Sequence, residues 1–148
     1  MESAKFTVYG EPVAKARPRV VNGHAYTPSK TKCHEAKIAL VYKTTYHGEK
    51  FDVGVPLRLE ADFYRMIPKS VRKKDREAMI AGTIRPTVKA DVDNYAKTVM
   101  DALLKVAYED DNQVVELVCR KFYAEQPRTE IILSKAGDLD GKTMLAVR

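Results

Sequence analysis

The chain of 148 residues has few of the groups that commonly signal a thiolate- or histidine-bound metal or a membrane anchor. Its two cysteines, Cys33 and Cys119, stand far apart and match neither a zinc spacing nor a redox pair. They sit in stretches that read as core and are expected to be buried free thiols. The three histidines, His24, His34 and His47, also lack ligand spacing and are expected to be polar surface groups, which sets a zinc site aside. No apolar run approaches the roughly 20 residues a membrane-spanning helix needs, and the opening MESAKFTVYGEP has no basic head followed by an apolar segment. A cytoplasmic protein with no membrane partner and no organic cofactor is expected. There is no internal repeat, low-complexity tract or dividing linker. One domain over residues 1–148 is expected, with enough apolar material for a single core and residues 138–148 as a surface tail.

What the chain has in excess is positive charge. A formal balance of +6 suggests an anionic partner such as nucleic acid, although basic composition alone does not select one.

Patterning gives a coarse order of elements. Phe6 and Val8 alternate with polar neighbours between Lys5 and Gly10, as in a half-buried strand. VAKARPRVVNGHAYTPSK follows as a hairpin or ordered loop around Asn22-Gly23, carrying Lys15, Arg17 and Arg19. Thr27 as N-cap and Pro28 in the first turn predict a helix to about Tyr46, with Cys33, Ala36, Leu40 and Val41 at helical spacing. Leu57, Leu59, Ala61 and Phe63 alternate with Arg58, Glu60, Asp62 and Tyr64, the clearest strand in the chain. KSVRKKDREAMIAG predicts a short basic helix capped by Ser70 and closed by Gly82. A short strand and a third helix come next. Val114 to Ala124 and Thr129 to Ser134 then read as neighbouring strands, a hairpin across EQPR. This order predicts an α+β fold, a mixed β-sheet with helices packed on it.

The charge is segregated. From Asp91 to Glu116 seven acidic residues face only Lys97 and Lys105, whereas from Arg65 to Lys89 eight basic residues face Asp75 and Glu77. An acidic knot must be spread out, paired with neighbouring bases or neutralised by a cation. If Asp91 and Asp93 lie on an extended segment, a period of two puts both carboxylates on one side, with Cβ atoms about 6–7 Å apart. Within a helix they would not converge, so the helix is expected to start after the pair. Asp93 or Asn94 would cap it, and Ala96, Val99, Met100, Leu103 and Val106 would supply its apolar face. Lys97 would reach back over this lip, Asp101 could pair with Lys97 and orient it, and the turn Glu109–Asp111 could return a third carboxylate. Clustered carboxylates without histidine or cysteine suit a hard divalent ion such as Mg²⁺. Singly, Asp93 also reads as a plain cap, Lys97 as a solvated lysine and residues 109–112 as a turn; the argument lies in their combination. Asp138 and Asp140 repeat the D-x-D spacing without a following helix or lysine and read as surface.

D-x-D-N-x-x-K, then D-A-L, then D-D-x-Q-V-V, spanning Lys89 to Val115, resembles the RusA-like family of Holliday junction resolvases; FTVYGEP and KARPR fit more loosely. The resemblance implies a small homodimeric endonuclease of bacteria, phages or prophages that resolves four-way DNA junctions by paired symmetric nicks in recombination and repair. It implies Mg²⁺, or Mn²⁺ in its place, as cofactor. Carried over by position, Asp91, Asp93 and Asp111 are catalytic metal ligands and Lys97 the catalytic lysine, with Asn94, Asp101 and Asp110 supporting. Lys15, Arg17, Arg19, Lys69, Arg72, Lys73, Lys74 and Arg76 would then hold DNA phosphates. Two departures stand out. The family often has a glycine near the end of this helix, whereas none occurs here between Gly82 and Gly137, and PTVKA stands where an arginine-rich run sometimes precedes the first aspartate. Two other readings of the same residues are a non-catalytic basic nucleic-acid-binding protein and a Mg²⁺-dependent nuclease acting on other DNA structures.

Overall fold

Strict alternation makes Leu57–Met66 the organising strand. In the computed structural model, which describes residues 1–17, 19–26 and 28–137, Leu57, Leu59, Ala61 and Phe63 are all but inaccessible to solvent. Burying each of the larger three contributes about 1.5–3 kcal/mol.

The elements in chain order are β1 (Ser3–Tyr9), β2 (Arg19–Val21), β3 (His24–Tyr26), α1 (Ser29–Tyr46), β4 (Leu57–Met66), α2 (Lys73–Ile80), α3 (Val92–Leu103), a 3-10 turn (Asp111–Gln113), β5 (Val114–Ala124) and β6 (Arg128–Lys135). One sheet has the order β1-β6-β4-β5, and β2 and β3 form a separate hairpin. Asn22 (φ 52°) and Gly23 (φ 79°) both occupy the left-handed region in that hairpin's two-residue turn, as its strand twist requires. The described fold is therefore α+β with a mixed sheet, as the element order predicts.

Helices α1 and α3 cover one face of the sheet, over Ala4, Phe6 and Val8 of β1 and Ile131 and Leu133 of β6. The other face carries ion pairs instead of a core. Arg120 meets Asp62 at 2.8 Å, Arg58 meets Glu60 at 2.9 Å, and Arg128 lies 3.9 Å from the centroid of the Tyr64 ring.

Strands β5 and β6 do not form the expected hairpin. β4 lies between them, parallel to β5 and antiparallel to β6. The link Glu125–Pro127 passes over the end of β4, where Ile67 donates its amide to the carbonyl of Ala124 at 3.0 Å. Two strand spacings are only about 10 Å, which a three-residue link covers. Sequence proximity therefore did not imply pairing. The parallel β4–β5 pair needs a long crossover, and residues 67–113 supply it with α2 and α3.

Other local expectations change for physical reasons. The short strand before α3 does not form, because residues 81–90 make turns and bends. Helix α1 buries Thr31, His34, Ile38 and Tyr42 and leaves Cys33 and Leu40 exposed. Its aliphatic residues are spread around the axis, so larger anchors set the inward face: Tyr42 packs edge-on against Phe6 and donates to the carbonyl of Glu49 at 2.5 Å. Cys33 is thus not a core thiol and His34 not a surface group. Cys119 is half-buried, and burial, with the Asp62 charge, pushes its thiol up to about 11. Thr27, expected to cap α1, and the Asp138–Asp140 pair lie outside the described residues; Pro28 holds the N-cap position of α1. Helix α2 starts at Lys73 with Arg72 in the N-cap position instead of Ser70, and Gly82 (φ 81°) closes it as expected. Among the described residues no helix is long and apolar enough to cross a membrane.

Candidate active site

Helix α3 begins between the two aspartates, not after them. Asp91 is the N-cap, still extended (ψ 144°), and Asp93 is in the first helical turn. The expected extended pair is therefore corrected, since the helix claims Asp93. The carboxylates nevertheless open on one concavity of about 530 Å³, lined also by Arg85, Pro86, Thr87, Val92, Cys119, Arg120 and Lys121. Asp91 makes no side-chain capping bond, so its carboxylate is not consumed by the helix it starts.

Asp93 also lines a second cavity of about 270 Å³, with Ala96, Lys97, Met100, Asp101, Asp111 and Leu117. Here the helix periodicity of α3 acts: residues 93, 96, 97, 100 and 101 lie along one stripe, facing Leu117 of β5 and the returning turn. Asp93, Lys97 and Asp111, far apart in sequence, thus share one hollow.

The turn separates the roles of the two adjacent aspartates. Asp110 accepts from the Asn112 amide at 2.9 Å, and the Gln113 side chain accepts from the Glu109 and Asp110 amides, both at 3.1 Å, closing a reciprocal cap. Buried Gln113 also donates to the carbonyls of Asp52 (2.9 Å) and Val55 (3.2 Å), which pins the turn. Asp110 is occupied structurally. Asp111 instead points into the cavity, and its Oδ1 is buried without a hydrogen-bond partner. Burial first, then the Asp101 charge, pushes the Asp111 carboxyl above the usual range; the nearby Tyr108 hydroxyl pulls it part of the way back, and Asp110 adds to the rise. The Tyr108 hydroxyl donates to the carbonyl of Met100 at 2.8 Å and leaves Oδ1 orphaned.

Asp101 does not orient Lys97. It pairs with Lys15 at 2.9 Å, and Lys15 also holds Glu35 at 2.6 Å. Burial alone would lower the Lys15 ammonium, but the hydrogen bonds it donates to Glu35 and Asp101 outweigh it and hold the group above the ordinary lysine value. Lys15, expected at DNA phosphates, is here an internal tie between the N-terminal loop, α1 and α3, reinforced by the hydrogen bond its backbone N–H donates to the Asn94 carbonyl at 2.9 Å. Lys97 remains exposed on the cavity. The other ion pairs of the acidic cluster fall on Glu109, with Lys105 (2.8 Å) and Lys50 (3.7 Å), and on Glu116, with Arg58 (3.4 Å).

The remaining basic residues spread along the molecule. Arg17 is exposed beside a hollow of about 680 Å³ that it shares with Lys30 and Lys89, and Arg19 lies on β2. Lys69, Lys73 and Lys74 are exposed, Arg72 pairs with Asp75 at 3.3 Å, and Arg76 approaches Glu125 at 3.6 Å where α2 meets the end of β5.

Two basic residues outside the motifs shape the site. Lys121 of β5 donates to the carbonyls of Val88 (3.0 Å) and Ala90 (2.9 Å), and Arg65 of β4 donates to the carbonyl of Lys89 (2.5 Å). Three consecutive carbonyls just before Asp91 are therefore held by the sheet. No short-range pattern could reveal this, because the partners are 24 to 33 positions apart.

Among the described residues no three His, Cys, Asp or Glu side chains close around one point to cage an ion. The donor set still fits a hard divalent cation. Asp91, Asp93 and Asp111 offer oxygens only, one of them buried and orphaned, and Mg²⁺ is commonly held by one or two carboxylates, waters and substrate phosphates.

An α+β scaffold with an acidic lip, a lysine one turn in and a third carboxylate returned by a turn defines a candidate phosphodiester-cutting site. The comparison with known families agrees. The family described as Endodeoxyribonuclease RusA matches residues 9–134, and the chain belongs to that family. Membership implies endodeoxyribonuclease activity on DNA, within a generally metal-dependent group. A relative, the Uncharacterized protein YqaN of Bacillus subtilis (strain 168), is 45% identical over 139 residues, covering 90% of this chain and 96% of its own.

Proposed function

We propose that this protein is a Mg²⁺-dependent endonuclease that resolves four-way DNA junctions by paired symmetric nicks in recombination and repair, with Mn²⁺ able to replace Mg²⁺. The observation that carries the reading is the cavity where Asp93, Lys97 and the orphaned carboxylate of Asp111 meet, beside Asp91 at the same helix lip. In this reading Asp91, Asp93 and Asp111 hold the metal. A bound divalent ion supplies Lewis-acid polarisation of the phosphate and a water acidified enough to attack at neutral pH. Lys97, free of Asp101, offers its ammonium to the negative charge that grows on the phosphoryl oxygens. Lys15 keeps Asp101 turned away from Lys97, and Asn94 anchors the N-terminal loop through its carbonyl. Arg17, Arg19, Lys69, Arg72, Lys73, Lys74 and Arg76 contact phosphates of the junction arms. The chain acts as one nuclease domain and as a homodimer in the cytoplasm, encoded by a bacterium, phage or prophage; a two-fold axis matches two active sites to the symmetry of a four-way junction.

The test separates binding from cutting. Asp91→Asn and Asp93→Asn are expected to abolish junction cleavage while retaining or strengthening junction binding, because repulsion between carboxylate and phosphate is removed. Loss of binding together with cleavage would assign the pair a structural role instead.

A further inference from the structure

We propose that two copies of the chain pair antiparallel along the outer edge of β5, residues 116–120 of one running against residues 116–120 of the other. The inference names the surface of the proposed homodimer and rests on that reading.

The two edges of the sheet differ. On β1 the edge is stoppered from α1: the Tyr46 hydroxyl accepts from the Lys5 amide and donates to the Lys5 carbonyl at 2.8 Å, and the Lys37 ammonium donates to the Tyr9 carbonyl. Such cover keeps an edge from recruiting another strand. On β5 the bond from the Ile67 amide to the Ala124 carbonyl marks the even-numbered residues as those whose backbone groups turn to β4, so from Leu117 onward the odd-numbered ones face outward. The Lys121 carbonyl accepts from Arg85, whereas the N–H and C=O groups of Leu117 and Cys119 have no partner among the described residues. Leu117 is also 48% exposed, and residues 114–119 include neither lysine nor proline to fend off a strand.

What fits this edge follows from its own sequence, ELVCR. Set antiparallel to itself about Val118, it places Glu116 opposite Arg120, Leu117 opposite Cys119 and Val118 opposite its own copy. All the open groups of Leu117 and Cys119 are then paired. Glu116 and Arg120 lie on the ion-paired face, where Glu116 meets Arg58 at 3.4 Å and Arg120 meets Asp62 at 2.8 Å, so the new cross-copy pairs join the two networks into one. Centring the pair on residue 116 or 120 instead would oppose Glu116 to Glu116 or Arg120 to Arg120. Antiparallel strands side by side have their two-fold axis perpendicular to the sheet, which keeps both α3 helices on one face. Leu117 lines the cavity of Asp93, Lys97 and Asp111, so the two hollows flank the axis and open on the same side, towards a single junction.

The test uses the whole chain without DNA, in EDTA, by sedimentation equilibrium. The wild type is expected to dimerise at micromolar concentration. Glu116→Arg and Arg120→Glu each set like charges opposite one another on both sides of the axis and should each weaken self-association roughly tenfold. An equimolar mixture of the two restores opposite signs at every such pair and should recover the wild-type affinity as a heterodimer. Both substitutions also disturb ion pairs within the chain, so a cross-link gives a second measurement. In a Cys33→Ser, Cys119→Ser background, Val118→Cys should form a covalent dimer with oxidised glutathione, because opposed residues of a non-hydrogen-bonded pair have Cα atoms about 4.5 Å apart, within disulfide reach. Leu40→Cys, exposed on α1, should not. The proposal is overturned if the wild type is a monomer, if both charge variants self-associate as the wild type does, or if Val118→Cys stays dimeric with no cross-link. A cross-linking dimer that cuts no DNA with any divalent ion would leave the interface standing and remove the proposed function; junction cleavage by a monomeric wild type would do the reverse.

Discussion

Asp111→Asn offers a test of the site that does not depend on catalysis. In the folded chain without metal, one carboxylate oxygen is buried with no partner, and Asp101 and Asp110 add like charge nearby. The folded carboxyl is raised above its unfolded value of about 3.9. The folded state thus binds more protons than the unfolded state as pH rises through that range, so stability falls with rising pH and the loss persists at neutral pH. Asn keeps a polar atom at that place but removes the partly buried negative charge and its repulsion from Asp101 and Asp110, a gain on the order of 1 kcal/mol. Asp111→Asn should therefore raise the melting temperature in EDTA by about 2–4 °C for a chain of this size. Adding Mg²⁺ should reverse the order. At 100 times Kd a bound ligand stabilises the wild type by about 2.7 kcal/mol, and Asp111→Asn should lose most of that gain. Asp110→Ala serves as the control, since losing the cap costs about 0.5–2 kcal/mol with or without metal and leaves the Mg²⁺ shift intact. Calorimetry of the three proteins in EDTA and in Mg²⁺ reads all of this. The reasoning is refuted if Asp111→Asn melts below the wild type in EDTA, or if Mg²⁺ stabilises both equally.

Lys15→Met should act on stability more than on DNA binding: it leaves Glu35 and Asp101 facing each other half-buried, at a cost of about 1–3 kcal/mol, seen as a lower urea midpoint with little change in the salt slope of junction binding. A lost salt slope with unchanged stability would make Lys15 a phosphate contact after all. Lys121→Met should release the carbonyls before Asp91, raise the Mg²⁺ concentration needed for half-maximal cleavage and slow cleavage by as much as about 100-fold through misplacement of the carboxylate, with Lys121→Arg restoring part of it. An unchanged metal requirement would remove Lys121 from the site.

The sequence revealed the parts whose pattern is local. Alternation located β4, Asn22-Gly23 located the turn between β2 and β3, and the apolar spacing of Ala96, Val99 and Leu103 located the buried face of α3. The same spacing placed Lys97 one turn inside the lip. What escaped depends on long-range contacts. Nothing in EQPR shows that the strands it joins are separated by β4, and nothing near Asp101 shows that Lys15, 86 positions earlier, takes it from Lys97. Helix α3 starts at Val92, ahead of the expected cap at Asp93 or Asn94, because a period of two describes a strand and only Asp91 stays extended. The missing glycine has a local answer: Lys105, just past α3, takes the left-handed conformation itself (φ 64°), held by its amide to the Tyr108 carbonyl at 2.7 Å and its ammonium to Glu109 at 2.8 Å.

The central claim is that this site cuts branched DNA. Incubating the wild type with a labelled synthetic four-way junction and with a linear duplex of the same sequence, with Mg²⁺ or with EDTA, tests it most directly. The account predicts paired, symmetric nicks in the junction with Mg²⁺, none with EDTA, and an intact duplex. Binding of both substrates without any metal-dependent nick, or equal cutting of junction and duplex, would contradict it.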